Sequence, residues 1–192
     1  MSVSLVQNMN TRKASKFLSL ILRHKPETIN IKLDSEGWVS VTDLLAGMHR
    51  KGWDTFTKEN LEEVVKDNNK QRFSFNESKT KIRANQGHSI QVDLGLKPTE
   101  PPDNLFHGTV SKFMDSIKSE GLKKVSRQHV HLSVDITTAN NVGSRRGKPV
   151  ILTINSRRMY DDGYTFYLSK NGVWLTDQVP YCYIDFSATI YH

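Results

Sequence analysis

Arg23 and His24 stand side by side near the end of Phe17-Leu-Ser-Leu-Ile-Leu-Arg-His-Lys-Pro26, a run whose apolar residues have helical spacing. A guanidinium offers forked donors that match a phosphate, and an imidazole can hydrogen-bond to an oxygen or pass it a proton. The plainer reading is a solvated polar face ending in a cation that complements the helix dipole. Further on, Arg72-Phe-Ser-Phe75 and Thr80-Lys-Ile-Arg-Ala84 read as two strands joined by Asn76-Glu-Ser-Lys79. That loop predicts Phe73 opposite Ile82 and Arg72 opposite Arg83. Like charges so placed destabilise a sheet by about a few tenths of a kcal/mol unless an anion sits between them. Phosphate would suit both guanidiniums; water between them would leave only a basic hairpin.

Asn85-Gln-Gly-His-Ser89 gathers amides and an imidazole around a glycine, as either a hydrogen-bonded turn or a substrate loop. His107 and His131 each sit in a strand pattern with no cysteine or acid at metal-ligand spacing. Taken singly, each reads as a structural histidine. Taken with Thr109 and Ser133, they could hold a ribose by its diol. Arg145, in the loop Gly143-Ser-Arg-Arg-Gly-Lys-Pro149, is a candidate anion contact, although any surface loop can carry a basic pair. No Gly-x-Gly-x-x-Gly and no Walker-type loop is present. The single cysteine, Cys182, excludes an internal disulfide and any multi-cysteine zinc site, and reads as a small core residue in a strand. No metal is expected.

These side chains need a scaffold. Ala14, Phe17, Leu18, Ile21 and Leu22 form one face of a helix, with Thr11 as its N-cap and Pro26 preventing its continuation. Arg12, Lys16, Ser19 and Arg23 fall together on the opposite face. Ile29-Asn-Ile-Lys-Leu33 alternates like a short strand, Asp34-Ser-Glu-Gly37 turns, and Trp38-Val39 makes another strand. Ser40-Val-Thr-Asp43 has the form of a capping box, opening a helix that buries Leu44, Leu45 and Met48 and stops near Gly52. Thr57 caps a third helix through Leu61, Val64 and Val65, ended by Asp67-Asn68-Asn69. Helices followed by a hairpin suggest a winged-helix-like arrangement, shared by many nucleic-acid binders, which carries function weakly.

Residues 94–103 hold three of the six prolines and mark a domain boundary. The expected organisation is a tail over 1–10, a first lobe over 11–94, a linker over 95–103 and a second lobe over 104–192. In the second lobe, Leu105-Phe-His-Gly-Thr109 reads as a strand ending in a glycine turn. Ser111 caps a helix through Phe113, Met114 and Ile117, closed by Gly121. His129-Val-His-Leu-Ser133 is a half-buried strand, residues 137–142 a short helix, and Val150-Ile-Leu-Thr-Ile154 a buried strand. Tyr164-Thr-Phe-Tyr-Leu168 and Val173-Trp-Leu-Thr176 make a hairpin across Ser169-Lys-Asn-Gly172. Val179-Pro-Tyr-Cys-Tyr-Ile-Asp-Phe186 is the last strand. The fold class is α+β.

The 192 residues carry Lys+Arg 27 against Asp+Glu 20, a formal net charge of +7. That surplus favours an anionic partner, nucleic acid first. The N-terminal residues lack the basic region and apolar core of a secretory signal, and no apolar run approaches the ~20 residues that span a bilayer. Cytosol or nucleus is expected, with no membrane partner. No uncovered apolar helix or heptad remains, so a monomer is expected.

Six strings in order then resemble one family. They are Ser15-Lys-Phe-Leu-Ser-Leu-Ile-Leu-Arg-His24, Lys70-Gln-Arg-Phe73, Ile82-Arg-Ala-Asn-Gln-Gly-His-Ser89, Leu105-Phe-His-Gly-Thr109, His129-Val-His-Leu-Ser133, and Val142-Gly-Ser-Arg145 with Gly147-Lys-Pro149. The family is the NAD-dependent RNA 2′-phosphotransferases (KptA) that act on spliced tRNA. The resemblance implies a winged-helix RNA lobe followed by a lobe of ADP-ribosyltransferase type. It implies NAD as co-substrate and a 2′-phosphorylated RNA, a tRNA, as partner. The family's essential Arg-His-Arg-Arg set maps onto Arg23, His24, Arg72 and Arg145. Arg12, Lys16, Arg83, Gln86 and His88 are assigned to RNA or phosphate. His107, Gly108, Thr109, His131, Ser133, Gly143 and Val173 are assigned to NAD. One departure is Arg146, where the family usually has histidine. The implied reaction transfers the internal 2′-phosphate to NAD through an ADP-ribosylated RNA 2′-phosphate. It leaves 2′-OH RNA, nicotinamide and ADP-ribose 1″,2″-cyclic phosphate.

Two rival readings remain. A winged-helix regulator without catalysis leaves His107 and His131 without a purpose. The other is an ADP-ribosyltransferase acting on protein or on terminal phosphates; those that modify protein commonly use a glutamate where this chain has Val173 and no acid before Asp177.

Overall fold

Helix α1 (Thr11–Arg23) buries Ala14, Leu18, Ile21 and Leu22, the stripe its spacing predicts. The computed structural model describes residues 11–67 and 70–191. Chain contacts divide it between Leu94 and Gly95 into two units, each mixing helices with antiparallel sheet. The architecture is α+β. Among the described residues, no helix is long and apolar enough to cross a membrane.

In the first unit Thr11 is itself helical and so does not cap α1. Pro26–Ile29 forms a 3-10 turn closed by Asn30 in the left-handed region, with φ 56°. The expected strand over 29–33 is therefore absent. Its alternation arises because Ile29 and Ile31 are buried while the intervening residue turns outward without a ladder partner. β1 (Val39–Ser40) leads into α2 (Val41–His49), where the Ser40 hydroxyl accepts the Asp43 amide at 3.3 Å. α3 (Lys58–Lys66) carries a full capping box: Thr57 accepts from the Asn60 amide, and the Asn60 side chain returns to the Thr57 amide. Asn68 and Asn69, read as ending this helix, lie outside the described residues.

β2 (Phe73–Phe75) and β3 (Lys81–Ala84) form the expected hairpin, and β1 adds to the other side of β3. The register differs from expectation. Phe73 pairs with Ala84, Ser74 with Arg83 and Phe75 with Ile82. The cause is Asn76, whose side-chain oxygen accepts the Lys81 amide at 2.9 Å and whose own amide donates to the Lys81 carbonyl at 3.1 Å. This clasp moves the loop along by one residue, to 77–80. Arg72 consequently lies across from Asn85, and Arg83 becomes its diagonal neighbour instead of its direct partner. A shift of two in pairing preserves the side-chain face, so both arginines stay opposite Phe73, Phe75 and Ile82.

In the second unit β4 (Asn104–Val110), β7 (Pro149–Asn155) and β11 (Ile184–Tyr191) form one sheet with β7 central. Its Val150, Ile151, Leu152 and Ile154 are buried. A second sheet has the order β6 (Val130–Leu132), β9 (Trp174–Thr176), β8 (Phe166–Leu168). β5 (Leu122–Lys123) pairs with β10 (Gln178–Val179). The helices are α4 (Met114–Glu120), α5 (Ile136–Gly143) and α6 (Ser156–Asp161). Leu105, Leu132, Leu152, Phe166 and Trp174 share one core. The proline-rich stretch is tied to this unit: the Thr99 amide donates to Phe166, and the Ser156 hydroxyl to Pro102.

Three expectations change here. Gly108 does not turn the chain. It lies inside β4, where a Cβ would come within 1.8 Å of the Ala139 carbonyl oxygen, so the glycine serves the close approach of α5. Ser111 opens a 3-10 turn (Ser111–Phe113) instead of capping α4. The last strand is interrupted by a 3-10 turn (Tyr181–Tyr183) after Pro180, leaving Cys182 exposed, not in the core. Tyr183 is the buried residue there, its hydroxyl bonded to Asp162. Helix α6 has no counterpart in the sequence reading, because Ser156-Arg-Arg-Met-Tyr-Asp161 is too short to show a period.

Candidate active site

In the first unit, Arg23 ends α1 and is only 8% exposed, although its position on the helix belongs to the polar face. The loop after β3 folds over it. The Ser89 amide donates to the Arg23 carbonyl at 2.9 Å. Gly87, with φ +85°, passes so close that a Cβ would lie 3.5 Å from the Arg23 Nη1. His24, one residue beyond the helix, shares a 2.9 Å hydrogen bond between its Nδ1 and the Ser89 Oγ. Arg83 lies over the Trp38 ring, 4.4 Å from guanidinium carbon to centroid, and donates to the Glu36 carbonyl at 3.2 Å.

His88 reports the electrostatics of this cluster. It is 1% exposed, and neither ring nitrogen has a hydrogen-bond partner among the described residues. Its pKa is pushed down to about 4, first by burial and then by the charges of Arg23, His24 and Arg83. Every charge that acts on it is positive. The sequence-predicted residues Arg23, His24, Arg83 and His88 are thus brought together. Arg72 is half-buried just before β2, and its carbonyl accepts the Asn85 amide at 2.8 Å, tying its backbone to the start of the same loop. Gln86 is half-buried in the same loop. Arg12 and Lys16 are exposed on the N-terminal half of α1, away from this convergence along the helix.

In the second unit the geometry is set by main chain. Phe106 and Ser133 exchange two amide-to-carbonyl hydrogen bonds, each 2.8 Å, joining β4 to the end of β6. This brings His107 alongside His131, and the His107 Nδ1–H donates to the His131 carbonyl at 3.0 Å. The Nδ1 proton is thereby fixed, leaving Nε2 as an acceptor in the neutral ring. Burial lowers the His107 pKa; the bond to His131 opposes this, while Arg146 and Arg127 add to it. Thr109 is buried in β4. Gly143 ends α5, where a Cβ would meet the Thr109 carbonyl oxygen at 3.0 Å. Arg145 is exposed in the 3-10 turn Ser144–Arg146.

Val173 is held differently. Its amide and carbonyl both bond to Ser169, closing the β8–β9 turn, and Leu175 is the residue that pairs with His131. Sequence reasoning missed Arg127, whose Nη1 lies 3.5 Å from the His131 Nδ1. It also missed Ser89 as a partner of His24. Nothing local marks either, since their significance lies in residues distant along the chain. Among the described residues, no group of three or more His, Cys, Asp or Glu is arranged to hold a metal ion.

A family model described as RNA 2′-phosphotransferase, Tpt1 / KptA family, matches residues 9–178. A protein of Flavobacterium johnsoniae named "Probable RNA 2′-phosphotransferase" is 59% identical over 182 residues, covering 94% of this chain and 100% of that one. One of Fusobacterium nucleatum with the same name is 56% identical over 178 residues, covering 92% and 99%. A third, of Agrobacterium fabrum, is 52% identical over 174 residues, covering 91% and 93%.

The chain belongs to the RNA 2′-phosphotransferase family. The family match spans the greater part of both units. It therefore includes the Arg23–His88 cluster and the His107–His131 pair alike.

Proposed function

We propose that this protein removes an internal RNA 2′-phosphate by transferring it to NAD. The observation that carries the reading is His88: an imidazole kept neutral first by its burial and then by the cations Arg23, His24 and Arg83 around it marks a place that suits an anion. Family membership supports RNA 2′-phosphate as that anion, and the +7 net charge suits the nucleic acid that bears it. The helices and hairpin of the first unit are read as a winged-helix-like RNA lobe, and the second unit as an ADP-ribosyltransferase-like lobe.

Within this reading Arg23, Arg72 and Arg83 hold phosphoryl oxygens by charge-assisted hydrogen bonds. His24, steadied by Ser89, donates to the phosphate or passes a proton to the departing RNA oxygen. In the second unit the residues present fit a ribose: the His107 tautomer is fixed, leaving Nε2 as a hydrogen-bond acceptor for a hydroxyl, Thr109 lies two residues on in the same strand, and Ser133 pairs with the neighbouring Phe106. NAD supplies a ribose carbon bearing a good leaving group. A 2′-phosphate oxygen attacks that carbon, and nicotinamide departs. The adjacent 2″-hydroxyl then attacks phosphorus, and the RNA 2′-oxygen leaves and takes up a proton. The products are 2′-OH RNA and ADP-ribose 1″,2″-cyclic phosphate. Arg145 offsets the charge that develops on the phosphoryl oxygens.

The test is incubation with NAD and an RNA carrying one internal 2′-phosphate, with the RNA and nucleotide products resolved. The expected outcome is NAD-dependent conversion to 2′-OH RNA with release of nicotinamide and the cyclic phosphate. Phosphate released as the inorganic ion without NAD would overturn the reading.

A further inference from the structure

Three arginines of the second unit repel one another with no acid between them. Arg127, in the loop before β6, is exposed as a residue. Even so, partial burial, and after it the charges of Arg146 and Arg145, hold its guanidinium pKa below the ordinary value. Other arginines of the same unit are neutralised: Arg157 pairs with Glu100 and Asp161, and Arg158 with Asp162. None of Arg127, Arg145 and Arg146 has such a carboxylate among the described residues. Uncompensated like charges raise the energy of the fold unless an anion comes between them.

Their position narrows the ligand. Arg127 donates toward the His131 Nδ1, and both Arg127 and Arg146 lower the pKa of His107. They therefore flank the histidine pair from two separate loops. The Arg146 guanidinium sits over the Phe113 ring, 5.8 Å from carbon to centroid. A guanidinium placed over a ring keeps its N–H edge available for an anion. Two such forks beside one ribose site match two linked phosphoryl groups better than a single phosphate.

We propose that Arg127 and Arg146 clamp the diphosphate of the dinucleotide, a binding role distinct from that of Arg145. The inference rests on the NAD reading above and deepens it. The clamp adds affinity for any adenosine derivative bearing a diphosphate and none for adenosine.

The experiment measures equilibrium binding of NAD, ADP, adenosine and a 2′-phosphorylated RNA to the full chain and to Arg127→Gln, Arg146→Gln and Arg127→Lys. Each glutamine variant is expected to weaken ADP about tenfold, as loss of a charge-assisted hydrogen bond implies. Adenosine and RNA should stay within about twofold, and Arg127→Lys should recover part of the loss through its retained charge. Retained adenosine binding shows that the pocket is intact. Equal loss of ADP and adenosine, unchanged ADP affinity, or a loss confined to RNA each overturns the clamp. A wild-type protein that binds neither ADP nor NAD defeats the dinucleotide reading itself, and with it the clamp.

Discussion

Ser89 touches both residues of the Arg23–His24 pair: its Oγ lies 2.9 Å from the His24 Nδ1, and its amide donates to the Arg23 carbonyl at 2.9 Å. The main-chain bond survives any substitution that keeps the backbone, whereas the side-chain bond does not. Ser89→Ala is therefore expected to leave thermal stability nearly unchanged while lowering kcat/KM on 2′-phosphorylated RNA about fivefold, the size of one hydrogen bond. Wild-type kcat/KM in this variant would remove the orienting role from Ser89.

The arginines proposed to hold phosphate should carry more. Arg72→Ala and Arg145→Ala are expected to lose about 10²–10³-fold in turnover, in line with removal of one charge-stabilising donor. The RNA should either accumulate in its ADP-ribosylated form or stop earlier. Either variant turning over at the wild-type rate at low substrate disproves the role given to that residue. Lysine at either position keeps the charge but loses the fork, so only partial recovery is expected.

His88 makes stability depend on pH with a definite sign. Its folded-state pKa of about 4 lies below the ~6.5 of an unfolded chain. Between those values the unfolded state binds more protons, so stability is fully present above about 6.5 and is lost as pH falls toward about 4. In His88→Gln the thermal midpoint should fall less between about pH 7 and about pH 5 than in wild type. Identical pH profiles would show that another group titrates.

Gly108 tests the fold instead of the chemistry. A Cβ there would come within 1.8 Å of the Ala139 carbonyl oxygen and 2.9 Å of the Gly143 amide nitrogen. Both are backbone atoms, so α5 must move as a body. Gly108→Ala is expected to cost about 3 kcal/mol, the upper end for an overpacked site, measured by denaturant unfolding. A loss below about 0.5 kcal/mol would mean that α5 yields freely.

Much of this architecture is visible in the residues themselves. The stripe of α1, the cap at Thr57 and the apolar run of β7 each follow from local pattern. The hairpin is legible, its register is not: Asn76 closes the turn with its side chain and moves the pairing by two. Ile29-Asn-Ile-Lys-Leu33 shows the limit of alternation, since a turn between buried isoleucines imitates a strand. Arg23 shows the limit of helical geometry, being placed on a polar face and then buried by a loop more than sixty residues later. Cys182 fails for a similar reason, because Pro180 turns the chain outward just before it. Of the candidate residues, those inside recognised strings were nameable in advance. Arg127 was not, because its meaning comes from Arg145 and Arg146 on another loop.

The two amide-to-carbonyl bonds between Phe106 and Ser133 have a wider consequence. Because they join β4 to the chain after β6 through backbone alone, the approach of His107 to the His131 carbonyl is indifferent to which side chains surround it. Evolution, or an engineer seeking a different nucleotide, is free to rewrite the loops bearing Arg127 and Arg146 while the strands keep time.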